Sequence, residues 1–160
     1  MDRVDKILKH PLFQKNLEEN NTAEADRRFC RHDIRHFLDV ARIATILNLQ
    51  ENLQISKELV YAAALLHDLG KHMQYSEGIP HEKSSAEIAP FILKDCNFDE
   101  KETCVIVEAI LTHRDEKVAT ERNLKGILYR ADKASRACFA CEAEADCNWK
   151  EGKKNLTIKY

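Results

Sequence analysis

The chain has 160 residues, 44% of them apolar and 32% charged, with a formal net charge of −2. That length suits one domain burying roughly two-thirds of its unfolded surface, and the composition reads as that of an ordinary globular chain and not a disordered one. The near-balanced charge argues against a broad basic surface for nucleic acid or anionic membrane.

The first ten residues, MDRVDKILKH, are charged from the second position and lack the apolar run of a signal peptide. No stretch approaches the ~18 apolar residues of a membrane span. The expected location is the cytoplasm, where thiols stay reduced. The six cysteines are then read as buried small hydrophobes or metal ligands, not as a disulfide framework.

Only four glycines and three prolines interrupt the chain, and apolar residues recur at spacings of three and four. This predicts an all-α fold, a helical bundle of about six to seven helices. The expected helices run over about 2–9, checked by Pro11, then 12–19, then from 25 or 31 to 49. Ser56 is the expected N-cap of a helix ending near Leu69, with Gly70 as its stop. A loop containing Gly78 covers 75–80. Further helices are predicted over about 81–94, over 100–113 behind an Asp99–Glu102 capping box, and over 123–141. The expected organisation is a helical domain over 1–141 with a cysteine-containing tail over 142–160 packed on it. Trp149 and Tyr160 read as residues that pack the tail down, and Lys150 to Lys154 as a solvated charged stretch.

An amphipathic helix turns one stripe inward, and several histidines lie in phase with those stripes. His36 is in phase with Val40, Ile43 and Leu47, and His67 with Val60, Ala63 and Ala64. His81 is in phase with Ser85, Ile88 and Ile92, and His113 with Ile106, Ala109 and Ile110. Asp132 is in phase with Leu128, Ser135 and Phe139. His10, His32 and His72 lie near segment ends or off these stripes. One inward histidine alone reads as a core residue bonded to a carbonyl. A buried aspartate needs a cation or several donors, and Lys133 or Arg136 could supply one. Five such residues from five helices are explained together by a shared divalent ion, since imidazole and carboxylate are its ordinary ligands. Lys71, four residues after His67, shares its face and could reach a phosphate.

With His36 in CRHDIRHFLDVARIA, the adjacent His67–Asp68 in AALLHDLGK, and Asp132 in LYRADKAS, the chain resembles the HD superfamily of metal-dependent phosphohydrolases over about residues 26–135. The resemblance implies an HD-type helical fold and a metal held by His36, His67, Asp68 and Asp132. Some branches place extra histidines after the His–Asp pair, and His81 and His113 fall at those places. The implied arrangement has Asp68 bridging to a second ion held by His81 and His113. The ions implied are one or two of Fe, Mn, Zn, Ni or Co. The implied activity is metal-assisted hydrolysis of a phosphomonoester or phosphodiester of a nucleotide or related small molecule. Asp68, Lys71 and Arg114 are the candidate catalytic and phosphate-contacting residues. Neither nucleic acid nor membrane is an expected partner, and the sequence carries no signal of oligomeric state. Two alternatives stand beside this reading: a di-iron oxygenase on the same scaffold, and a non-catalytic ligand- or redox-sensing module.

A second feature is ACFACEAEADCNW. Cys138 and Cys141 have the spacing of a metal knuckle and Cys147 follows closely. Cys30 is the candidate fourth ligand. It precedes His36 by six residues, and Cys138 follows Asp132 by six. If His36 and Asp132 meet on antiparallel helices, both cysteines are displaced in the same direction. Zinc or an iron–sulfur cluster is the expected occupant; the alternative is unligated cysteines on the last helix. Cys96 and Cys104 read as core or incidental.

Overall fold

A computed structural model describes residues 1–160. Its eight α-helices are α1 (Asp2–Lys9), α2 (Pro11–Ala23), α3 (Ile34–Gln50), α4 (Lys57–Leu66), α5 (Lys71–Ser76), α6 (His81–Asp95), α7 (Glu100–Thr112) and α8 (Leu124–Ala134). Short 3-10 turns join α7 to α8 and punctuate the segment after α8. There is no strand, and no helix is long and apolar enough to cross a membrane.

The central element is α4. Ala62, Ala63, Ala64, Leu65 and Leu66 are all buried, as expected of a helix apolar all round. It is packed by α1, α3, α6, α7 and α8. Phe37, Val40, Ala41 and Ala44 bury one face of α3; Ile92 and Leu93 do so for α6, Ile106 and Ile110 for α7, and Ile127 and Leu128 for α8. Arg3 closes the far end. Its Nε donates to Glu58 at 2.7 Å and its Nη1 to Glu102 at 2.6 Å, with the guanidinium over the Phe98 ring. The Asp99–Glu102 capping box forms as expected. Ser56 occupies the N-cap of α4 without a side-chain bond to the backbone.

Several helix ends differ from expectation: α2 runs on to Ala23 rather than 19, α3 starts at Ile34 rather than 25 or 31, and two further differences shape the site. The helix predicted to reach Leu69 stops at Leu66. A turn over His67–Gly70 follows, closed by Leu69 N–H to Leu66 O and Lys71 N–H to Asp68 O. Gly70 then caps the start of α5, a short eighth helix beyond the six to seven expected, whose last residues fall in the loop expected from 75. Contacts from α6 explain the break: Gly70 N–H donates to Ser85 Oγ, and Ser84 Oγ–H donates to Gly70 O, both at 2.9 Å.

The helix predicted to reach Cys141 ends at Ala134. Asn155, far along the chain, donates its side-chain N–H groups to the carbonyls of Lys133 and Arg136. These distant bonds satisfy carbonyls that continued helix would have used. Cys138 and Cys141 therefore lie on a 3-10 turn, not on α8.

Gly70 has room only for hydrogen. A Cβ there would sit 2.5 Å from Ser84 Oγ and 2.8 Å from Ser85 N. Gly70→Ala is expected to lower stability by about 1–3 kcal/mol through overpacking. Gly152→Ala, where a Cβ meets nothing within 4 Å, should change little. Urea unfolding of both variants checks this, and equal midpoints would refute it.

Candidate metal centre

The inward histidines sit at helix ends, where a side chain can reach past its own turn. His36 lies in the first turn of α3, whose N-cap Asp33 accepts from Arg35 N–H and His36 N–H. His67 and Asp68 occupy the turn after α4. His81 opens α6, His113 caps the C-terminal end of α7, and Asp132 is near the end of α8.

These residues form two groups, each with ligand atoms lying within 4.8 Å of one another. The first is His36, His67, Asp68 and Asp132; the second is Asp68, His81 and His113. Asp68 belongs to both through different oxygens. Its Oδ2 lies 3.2 Å from His67 Nε2 and 3.5 Å from His36 Nε2. Its Oδ1 lies 3.0 Å from His81 Nε2 and 3.4 Å from His113 Nε2. Asp132 Oδ1 completes the first group, 3.6 Å from His36 Nε2.

Hydrogen bonds on the opposite ring edges decide what these nitrogens present. His67 Nδ1–H donates to Ala64 O at 2.7 Å, and His113 Nδ1–H to Ile110 O at 2.6 Å. Gln74 Oε1 accepts from His81 Nδ1–H at 2.5 Å. Ser135 spends its hydroxyl proton on Asp132 O, so its oxygen accepts from His36 Nδ1–H at 3.3 Å. A neutral imidazole bonded this way carries a lone pair on Nε2. Four lone pairs then converge on a carboxylate buried from solvent. His81 and His113 face each other at 3.2 Å between Nε2 atoms, an arrangement that repels unless a cation lies between. His36 Nε2, His67 Nε2 and Asp68 Oδ1 are buried without a hydrogen-bond partner. This donor set fits divalent metal ions.

Lys71 is buried beside the second group, its Nζ 3.1 Å from His81 Nδ1. Burial pulls its pKa down, and Asp68 and Glu24 offset part of that. Arg114 is more remote: half-exposed, it donates to Glu82 Oε2 at 3.1 Å. Of the two cations considered for Asp132, Lys133 pairs with it, whereas Arg136 stacks on the Trp149 ring, 3.8 Å from its centroid.

His32, set aside in the sequence, is part of the site. Its Nε2 lies 3.7 Å from Asp68 Oδ2, and its Nδ1–H donates to Glu24 Oε1 at 2.6 Å. Glu24 is buried and also accepts from His32 N–H and Tyr75 O–H. Burial raises the Glu24 pKa, but its bonds and charge pairing with His32 outweigh this and hold it at about 2. The usable signal was the four-residue interval between His32 and His36. His10 and His72 serve structure: His10 caps α2, and His72 bonds Asn16.

Without metal, a proton must take the cation's place. Burial lowers the His67 pKa, but Asp68 and Asp132 outweigh it and raise it above the ordinary 6.5. Burial raises both carboxylates, yet the neighbouring cations, His67 foremost, hold them well below the ordinary 3.8. The His67 contribution to stability is thus fully present below pH 6.5 and lost as pH rises through its raised value. The aspartate contribution is present above pH 3.8 and lost on acidification. Chelator-stripped protein is expected to lose melting temperature as pH rises above 6.5, while metal binding tightens as protons leave. Thermal melts of stripped and loaded protein check this; a stripped protein that gains stability above pH 6.5 would refute it.

Comparison with known proteins bears on the family and the fold. The HD domain family pattern matches residues 33–143. An uncharacterised protein of Clostridium beijerinckii (strain ATCC 51743 / NCIMB 8052) is 46% identical over the whole length of both chains. The crystal structure of a predicted HD superfamily hydrolase from an uncultured Thermotogales bacterium superposes with a TM-score of 0.62. That match has 26% identity and covers 89% of this chain and 81% of the other. The chain belongs to the HD domain family, a family of metal-dependent hydrolases.

Proposed function

We propose that this chain is a metal-dependent phosphohydrolase, cleaving a phosphomonoester or phosphodiester of a nucleotide or related small molecule. The metals would be drawn from iron, manganese, zinc, nickel and cobalt. The observation that carries the reading is the cleft above the metal centre. A cavity of about 1000 Å³ is walled by His32, His36, Asp68, His81, His113 and Asp132. Its other walls are basic. Arg27, Arg31, Lys71, Arg114, Arg130, Lys133, Arg136, Lys153, Lys154 and Lys159 face it, against only Asp68, Glu116 and Asp132 among acids. A cleft of one sign with low-dielectric walls concentrates ions of the other sign, here phosphates. Phe29, Tyr129, Trp149 and Tyr160 add flat apolar surface suited to a base. Trp149, Tyr160 and two lysines of the 150–154 stretch thus face the cleft, a role beyond the tail packing and solvation expected of them.

Bound ions would polarise water and offset charge gathering on the phosphoryl oxygens. The chain's own residues do the rest. Asp68 holds both metal groups at a fixed separation. Lys71 offers a compact positive charge beside His81. Arg114, freed from Glu82, can make a bidentate contact to a phosphate entering from solvent. His32 keeps its Nδ1–H on Glu24, which leaves Nε2 at the cleft wall able to receive a proton from the attacking water.

Asp68→Ala is expected to lower phosphate release from phosphate esters and dinucleotides by about 10³-fold or more, with loss of bound metal. Arg114→Ala should raise KM about 10-fold with smaller change in kcat, as fits one lost charged contact. Elemental analysis, turnover assays and oxygen uptake as a control for oxygenase chemistry check these outcomes. An active Asp68→Ala protein with unchanged metal content would sink the reading.

A further inference from the structure

Four of the six cysteines face one another outside the His/Asp centre. Cys30, Cys138, Cys141 and Cys147 line a single cavity of about 300 Å³, with His36 and Ser135 on its inner wall. They arrive from separate stretches. Cys30 lies in the link between α2 and α3. Cys138 and Cys141 bracket a 3-10 turn, with Cys141 N–H on Cys138 O, and Cys147 closes the next turn, its N–H on Glu144 O. Burial raises the Cys30 pKa, and Cys138 and Cys141 are close enough to raise it further. Arg136, in no ion pair with a carboxylate, stands at the same cavity and opposes that rise. It can offset part of the negative charge that a set of thiolates around a divalent ion would carry.

The segment holding three of these cysteines has little else to keep it folded. Among residues 135–160, Ala143 and Asn155 alone are buried. Fixing a backbone costs conformational entropy at every residue, and two buried residues with short 3-10 turns offset little of this. Yet the segment is tied in place: Asn155 bonds Lys133 and Arg136, Phe139 N–H donates to Asn155 O, and Lys154 bonds Glu144. Segments with too little core are commonly held by a metal, whose binding energy becomes folding energy.

We propose that Cys30, Cys138, Cys141 and Cys147 ligate a thiolate-bound metal centre, separate from the His/Asp pair, that staples the C-terminal segment to the link before α3. The occupant is a zinc ion or an iron–sulfur cluster. The four sulfurs do not form a group within the 4.8 Å mutual separation that the His/Asp groups meet. Zinc, with Zn–S near ~2.3 Å, requires the side chains to rotate inward; a cluster spans a wider gap. Cys30 and Cys147 also line the substrate cleft, but the centre stands or falls independently of the hydrolase reading, because its test reads metal and sulfide content and not turnover. It also fixes the link carrying His32 and the segment whose Trp149 and lysines wall the cleft.

The test uses the full chain purified without oxygen or chelator. Zinc, iron and acid-labile sulfide per chain are measured for wild type, Cys138→Ser/Cys141→Ser, Cys147→Ser and Asp68→Ala. The expected result is that each cysteine variant loses one zinc, or iron with matching sulfide and its visible absorption. Both should keep the metal that Asp68→Ala loses. Cysteine variants with wild-type metal content overturn the proposal. Should the variants fail to fold, thiol titration of native wild type decides. Removing metal should make four further thiols reactive; equal thiol reactivity before and after stripping overturns the proposal.

Discussion

The site depends on one buried carboxylate. Asp68 has no ordinary hydrogen-bond donor at Oδ1, and lies among the Nε2 atoms of five histidines. An isolated charge in such a place would be strongly unfavourable. It is tolerated only with a cation beside it. The five rings have their Nδ1 protons drawn to the far edge by Glu24, Ala64 O, Ile110 O, Gln74 and Ser135, which leaves Nε2 lone pairs to share a metal ion with Asp68. Without metal, a proton on His67 takes that place. Each of those partners is fixed by a helix end or a helix-packed side chain. The geometry of the metal centre is thus a consequence of how the helices terminate. The break after Leu66 is the important case. His67 keeps helical backbone angles as the cap of α4. The tighter turn that follows, with Leu69 N–H on Leu66 O and Lys71 N–H on Asp68 O, carries Asp68 beside it so that neighbours ~100° apart on a helix can serve one centre.

That dependence also explains what could be read from the chain. His36, His67, His81, His113 and Asp132 were legible because local periodicity alone places them on inward stripes, and periodicity is a property of neighbours. The Asp99–Glu102 box was legible for the same reason. His32 was not, because it precedes α3, and its Nε2 is aimed at Asp68 by the bond of its Nδ1–H to Glu24, which the link after α2 brings beside it. The end of α8 was illegible because the residue that stops it, Asn155, lies 19 and 22 positions further along the chain. Local propensity favours continued helix through Ala137 and Phe139; two distant side-chain bonds override it.

Charge shows the same limit. A net charge of −2 argues against a broad basic exterior but says nothing about a cleft. Acidic residues outside the cleft pair with cations both away from it and on its rim: Glu58 and Glu102 with Arg3, Glu108 and Glu121 with Lys125, Glu51 with Arg130, Glu82 with Arg114 and Glu144 with Lys154. The ten cations at the cleft come from nearly every part of the chain, including Arg27 and Arg31 before α3 and Lys153, Lys154 and Lys159 in the last eight residues. Their joint field exists only when those parts are assembled. Asn155 and the cysteine cavity therefore bear on more than the order of the C-terminus. They hold three positive charges and the Trp149 ring over a metal centre whose ligands all come from elsewhere. The core helices bring the metal-ligating side chains together, and the last twenty or so residues bring lysines and aromatic rings to the cleft above them.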